Sequence, residues 1–240
     1  DFDGVDDKID YGDLAGVDGA SALTMMLWYN PDTVTGDQGI VQKVSASTHA
    51  STLVQDTNDV KVYHGDGTIT GVTGGAVLAV RVWVHIAYVY DGSQATNATR
   101  QKIYINGINQ TLTFAGTVPA TLGDAGTAIF TLMGQSASGV GFGDGKVGLF
   151  KVWVGAALTA GAVVQEMNSH HWVRSRPTIL HPLVDGRDAR DYSGNGNHGT
   201  LTGALMAAGP PQIGGMRRFQ ATKQSRRQIR TGLWGQRILP

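Results

Sequence analysis

The chain has 240 residues, with 34 glycines, no cysteine, a single glutamate (Glu166), 16% charged residues and a formal net charge of zero from 19 basic and 19 acidic side chains. That length suits one β-sandwich of the ~200–250-residue kind plus an extension, and a Gly-, Thr- and Val-rich composition predicts little helix, because glycine breaks helices and β-branched side chains fit pleated surfaces. Lack of cysteine excludes disulfides, iron–sulfur clusters and thiolate zinc sites without fixing a compartment, and no apolar run approaches the ~18 residues that span a bilayer, which predicts a soluble chain.

In chain order, residues 22–30 form an apolar run ended by Pro31, which cannot continue a ladder, and so predict a buried strand. Residues 39–45 predict another. Residues 51–55 and 59–64 flank Asp56-Thr57-Asn58 as a hairpin, and Gly65-Asp66-Gly67 makes the next turn. The strand at 82–90 runs into the turn Asp91-Gly92-Ser93. Its partner at 102–106 alternates, with Ile103 and Ile105 inward, and ends at Asn106-Gly107, a strong hairpin signal. Two more strands are expected at 128–134 and 146–154, separated by a Gly-rich loop at 139–145. Thr159 then caps a short helix over 160–167 that places Val163, Val164 and Met167 on one face, the one helix expected.

Several phrases occur in an order that carries a resemblance. Phe2-Asp3-Gly4 with Ile9-Asp10-Tyr11-Gly12, Thr24 to Trp28, His85-Ile86-Ala87 with Tyr90-Asp91-Gly92-Ser93, Tyr104-Ile105-Asn106-Gly107, and Gly145 to Val154 followed by Ala157-Leu158-Thr159 cover roughly residues 1–170. This succession resembles laminin-G-like and pentraxin-like jelly rolls of the concanavalin A-like superfamily. The resemblance implies an all-β fold of two antiparallel sheets, whose members bind glycans or proteins, hydrolyse polysaccharides or build assemblies. Fold does not choose among these. The phrase Asp191-Tyr-Ser-Gly-Asn-Gly-Asn-His-Gly at 191–199 resembles a stretch that in such domains usually precedes the one at 1–12, so the order is reversed here. The expected organisation is a sandwich over 1–176, a strand-bearing Gly/Asn-rich extension over 177–215 that packs on a sandwich in cis or in trans, and a basic arm over 216–240.

The chemistry available is sparse. Glycoside hydrolysis needs two carboxyl groups across the scissile bond, and polysaccharide hydrolases with this jelly roll usually carry Glu-x-Asp-x-Glu on one strand. No such phrase occurs, and Glu166 falls on the expected helix. There is no Gly-x-Ser-x-Gly elbow. His170, His171 and His181 lack a standard zinc spacing, and the glycine run at 139–145 precedes a strand rather than a helix, so it reads as a turn and not a phosphate cradle. The expectation is a non-enzymatic chain.

Asp191, Ser193 and Asn195, followed by Gly196, match the first half of a calcium loop, but position 202 is threonine where the bidentate glutamate would stand, so Asp185 or Asp188 would have to contribute. The competing reading is an Asx turn bonded to its own backbone. Asp91 and Asp144 in rim loops, together with Trp172, are the ligand-binding candidates, through loops 91–99 and 136–145. Trp28, Trp83 and Trp153 sit in apolar strands and are expected in the core, whereas Trp172 and Trp234 are available for contacts. Asn97-Ala-Thr99 and Asn109-Gln-Thr111 fit the glycosylation pattern.

Charge is divided along the chain. Residues 217–237 hold seven basic side chains and no acid, leaving twelve basic against nineteen acidic over the first 216. Arg217, Arg218, Arg226, Arg227, Arg230 and Trp234 define this arm, whose composition buries too little apolar area to fold alone and is better satisfied by neighbouring copies. Nucleic acid is the weaker partner for it, because no recognised recognition module is present. The leading expectation is a structural or adhesive subunit of an extracellular, cell-surface or virion assembly, a homo-oligomer held by the arm. The alternative is a lectin-like carbohydrate-binding module, with calcium as its possible cofactor.

Overall fold

The computed structural model describes residues 1–46, 48–134, 140–173, 175–181 and 189–210. Among these, the strands in chain order are β1 (Phe2–Asp3), β2 (Lys8–Asp10), β3 (Ala22–Pro31), β4 (Asp37–Val44), β5 (His49–Asp56), β6 (Asp59–Gly65), β7 (Ile69–Val72) and β8 (Val84–Asp91). They continue with β9 (Gln101–Ile105), β10 (Ile108–Asn109), β11 (Thr113–Ala115), β12 (Phe130–Leu132), β13 (Asp144–Val154), β14 (Ile179–His181) and β15 (Thr200–Thr202). Two α-helices, α1 (Asn97–Arg100) and α2 (Ala160–Met167), complete the set.

The strands form two antiparallel sheets. One has seven strands in the order β1-β13-β3-β8-β9-β10, with β14 added to β13; the other has eight, β11-β7-β6-β5-β4-β12-β2-β15. Alternate residues of β3, Leu23, Met25, Leu27 and Tyr29, enter the central core with Leu53, Val60 and Val62 of the facing sheet. The intervening Met26 packs on the other side with Ala87, Val89, Tyr104, Trp153 and Val163 of α2. Strands covered on both faces read as unbroken apolar runs, which is why residues 22–30 do not alternate. β6 is buried at Val60, Val62 and His64 only, and its partly exposed Asp59, Lys61 and Tyr63 face away from the core.

Local signals account for the turns. Asn106 (φ 51°) and Gly107 (φ 80°) join β9 to β10, pairing Ile105 with Ile108 across the two positive-φ positions that a type I′ turn requires. Thr159 Oγ1 accepts from Ala162 N at 3.3 Å to start α2. The short helix expected over 160–167 is α2, and α1 adds four residues. It is a single turn in which Thr99 Oγ1 accepts from Thr96 N at 3.2 Å, too short to leave a hydrophobic period.

The extension pairs within its own chain. β14 joins β13 through Phe150 to Val152, and β15 joins β2 through Lys8 to Asp10. Beyond β15, Leu205 N donates to Asp1 O at 3.0 Å and Asp1 N to Leu205 O at 2.7 Å. The 191–203 phrase therefore lies beside 1–12, late in sequence but adjacent in space. The arm residues Arg217, Arg218, Arg226, Arg227, Arg230 and Trp234 lie outside the described residues, as do Asp185 and Asp188.

Candidate functional site

The outward side of the eight-stranded sheet is polar, and the register arranges it in cross-strand rows. Asp59, Asp56 and Asp37 stand opposite one another on β6, β5 and β4; Lys61 is opposite Val54; Tyr63 is opposite Thr52, which is opposite Gln42. Tyr63 Oη donates to Asp37 Oδ2 at 2.7 Å. Because β4 and β6 flank β5 and lie roughly 10 Å apart, the phenol must cross β5. Thr52 and Val54 of β5 are fully buried although they point away from the core, and Tyr63 itself is partly exposed.

Its surroundings are charged. Lys61 Nζ lies 5.1 Å from the ring centroid and 2.9 Å from Asp56 Oδ2, and the His49 ring lies tilted at 34° to it with centroids 5.4 Å apart. Burial, then the bond to Asp37, pushes the Tyr63 hydroxyl up. Burial would lower Lys61, but its contacts with Asp56 and Tyr63 outweigh this and hold it above its ordinary value. The bond from Lys61 pulls Asp56 down, and burial lowers His49. An aromatic plate bordered by carboxylates and an ammonium can stack on the C–H face of a sugar ring while its rim exchanges hydrogen bonds with the hydroxyls. No motif marks this face in the sequence, although the alternation Asp59-Val60-Lys61-Val62-Tyr63 carries it at period two.

The rim candidates do not converge. Asp91 pairs with Ala22 at one end of the ten-residue β3, and Asp144 stands next to Gly145, which pairs with Pro31 at the other end. Nine steps at strand rise separate them by roughly 30 Å. Asp91 closes its own turn, accepting from Ser93 N at 3.2 Å, Ser93 Oγ at 2.6 Å and Gln94 Nε2 at 2.8 Å, and these side-chain bonds lower its pKa. Burial raises Asp144, and the nearby Asp32 carboxylate adds to this. Of loop 136–145, residues 136–139 lie outside the described residues. Trp172 follows α2 and is 39% exposed. Trp153 is in the core as expected, whereas Trp28 and Trp83 are only partly buried.

Asp191 is buried within a hydrogen-bonded turn. Its Oδ1 accepts from Leu180 N at 2.9 Å and Ser193 N at 2.8 Å, and its Oδ2 accepts from Ser193 Oγ at 2.7 Å and Asn197 N at 3.0 Å. Ser193 Oγ also reaches Thr178 O at 3.2 Å, and Asn195 Nδ2 donates to Pro177 O at 2.8 Å. Four donors fill the carboxylate, so a cation at Asp191, Ser193 and Asn195 would have to displace bonds that dock β14. This geometry is the Asx turn, not the opened oxygen cage of a calcium loop. Elsewhere, Asp3, Asp6 and Asp7 bring three carboxylates within 4.8 Å of one another. Asp7 is the buried member, and burial raises its pKa.

Glu166 has a structural partner. Lys151 Nζ lies 2.8 Å from Glu166 Oε2 and also reaches the carbonyls of Glu166, Ser169 and His171 at 3.0, 2.8 and 2.9 Å, with both side chains almost wholly buried. Glu166 Oε1 accepts from Val173 N at 2.7 Å. The only glutamate of the chain thus fastens α2 and the following loop over the seven-stranded sheet.

A family model described as the concanavalin A-like lectin/glucanases superfamily matches residues 3–164. No curated protein matches the chain. Among solved structures, the chain is similar to a candidate carbohydrate-binding protein from Bacteroides ovatus, at 17% identity and a TM-score of 0.58, over 82% of this chain and 56% of that one. It therefore spans little more than half of that protein's length. It is also similar to the CBM40 of Ruminococcus gnavus IT-sialidase bound to alpha2,6 sialyllactose, at 15% identity and a TM-score of 0.51, over 68% of this chain and 94% of that one. At these identities the likeness lies in the fold. No helix among the described residues is long and apolar enough to cross a membrane.

Proposed function

The chain belongs to the concanavalin A-like lectin/glucanases superfamily, and from that premise we propose that it is a carbohydrate-binding module of an extracellular or cell-surface protein, engaging glycans on the outward side of its eight-stranded sheet. The observation that carries this reading is the partly exposed Tyr63, whose hydroxyl reaches from β6 to Asp37 of β4 at 2.7 Å. Solved relatives described as carbohydrate binding support it at the level of fold. Stacking on Tyr63 supplies the apolar contact; Asp37, Asp56 and Lys61 supply acceptors and a donor at the plate's border. Binding is measured on a broad glycan array and by affinity electrophoresis, with and without a calcium chelator. Tyr63→Ala is expected to weaken the bound glycan by about thirtyfold, as a central aromatic contact does. Unchanged binding in that variant would remove the reading. Because Asp191 is filled by hydrogen bonds, chelation is expected to leave binding intact.

The second reading, a structural or adhesive subunit of an extracellular or virion assembly, rests on the seven basic side chains and absent acids of 217–237. Light scattering on the whole chain and on one ending at residue 215 tests it. The arm reading expects oligomers that the shortened chain loses, and monomers in both would count against it.

A further inference from the structure

Building on the glycan-binding reading of the Tyr63 face, we infer that this face takes glycans free of carboxylate, sulfate or phosphate groups and turns anionic glycans away. Asp59, Asp56 and Asp37 form one unbroken row across three strands, since Asp56 is in register with both others. Asp66, at the other end of β6, acts on His49 and lies apart from this row. Against the three carboxylates of the row, Lys61 is the cation that borders it, and Asp56 already holds it at 2.9 Å. His49, tilted against Tyr63 with centroids 5.4 Å apart, contributes no charge at neutral pH because burial lowers its pKa.

A sugar hydroxyl arriving at this border donates to a carboxylate and gains a charge-assisted bond. A sugar carboxylate or sulfate cannot donate, and it meets the row with like charge. To find a cation it would have to take Lys61 from Asp56 and leave that carboxylate uncompensated. Asp37 is the specificity-determining residue on this view: it holds the Tyr63 hydroxyl and stands at the exposed end of the row.

The test is calorimetric titration of the whole chain with three probes: neutral oligosaccharides, chitosan oligosaccharides, and acidic ones, namely sialyllactose and oligogalacturonate. Each is run at low and at high salt. Neutral or amine-bearing sugars are expected to bind at least about tenfold more tightly than acidic ones at low salt, with the gap narrowing as salt screens the row. Asp59→Lys is expected to raise affinity for the acidic probes while neutral binding persists. Asp37→Asn, which keeps an acceptor for Tyr63, is a milder second variant with the same direction. An acidic glycan that binds as tightly as neutral ones, and loses that binding in Tyr63→Ala, would overturn the charge selection while leaving the face a glycan site. Binding that ignores Tyr63→Ala, or no binding to any probe, would overturn the face itself.

Discussion

The outer side of the seven-stranded sheet is roofed by α2, whereas on the eight-stranded sheet β6 presents a partly exposed outer row beside the buried β4 and β5. Under the roof, Met26, Ala87, Val89, Tyr104 and Trp153 are closed off by Val163 of α2, and Lys151 pairs with Glu166 out of reach of water. On the other side, the polar row of β6 faces outward with the Tyr63 ring partly exposed in it. Both sheets share the same inward core. The difference shows where this sandwich spends its special residues: an isolated buried ion pair holds a cover in place, while charges at a partly exposed border stay available to a ligand. Stability and recognition are thereby separable, and mutations on one side should leave the other largely unaffected.

The largest expected effect comes from opening the roof. Glu166→Ala strands the Lys151 ammonium in a dry environment and removes the acceptor of Val173 N. Loss of one partner of a buried pair costs about 3–5 kcal/mol, on the order of 10 °C in Tm for a chain of this size. Below the new transition, affinity at Tyr63 should match wild type. Thermal melts alongside glycan titrations check this; a melt shift of a degree or two would show that the roof is not fastened by this pair.

Acid reaches both layers through histidine. His85 lies beside Trp28, with ring centroids 5.4 Å apart, and burial pushes its pKa down to about 3. His64 sits in the core against Gln101 Oε1 at 2.9 Å, and burial lowers it to about 4. With folded values below the ordinary 6.5, the unfolded chain takes up protons first as pH falls. Their stabilising contribution is therefore complete above pH 6.5 and is lost progressively below it, by about 2 kcal/mol per histidine at pH 5. Urea unfolding at pH 7.5 and pH 5 measures the loss, and His64→Gln and His85→Gln divide it between core and roof. If neither variant reduces the difference between the two pH values, both rings are better hydrated than their packing implies.

The contrast also explains what was legible from sequence. The buried strand at 22–30, the Asn106-Gly107 turn and the Thr159-capped helix depend on residues within a few positions of each other, so period and turn chemistry expose them. The site does not. Tyr63 meets Asp37 from 26 residues away, and only the β4-β5-β6 register puts both on one side. Asp91 and Asp144, expected in rim loops, end β8 and open β13, and no local pattern reveals that β3 holds them at opposite ends. Asp191 is bonded within its own turn, and one of its donors, Leu180 N, arrives only once β14 has docked.

The smallest expected effect separates the two sides most directly. Trp172 is the exposed aromatic that sequence alone favours for stacking on a sugar, and it follows the roof helix rather than the eight-stranded sheet. It is 39% exposed and stands between His171 and Val173, which Lys151 and Glu166 hold through backbone atoms. Because Trp172→Ala leaves both backbone contacts in place, it should cost no more than about 1 kcal/mol in stability, as truncation of an exposed side chain does. It should leave glycan affinity within error of wild type. If Trp172→Ala instead abolished binding and Tyr63→Ala did not, recognition would belong to the roofed side, and the polar row of Asp37, Asp56 and Asp59 would be a solvated surface with no ligand to select.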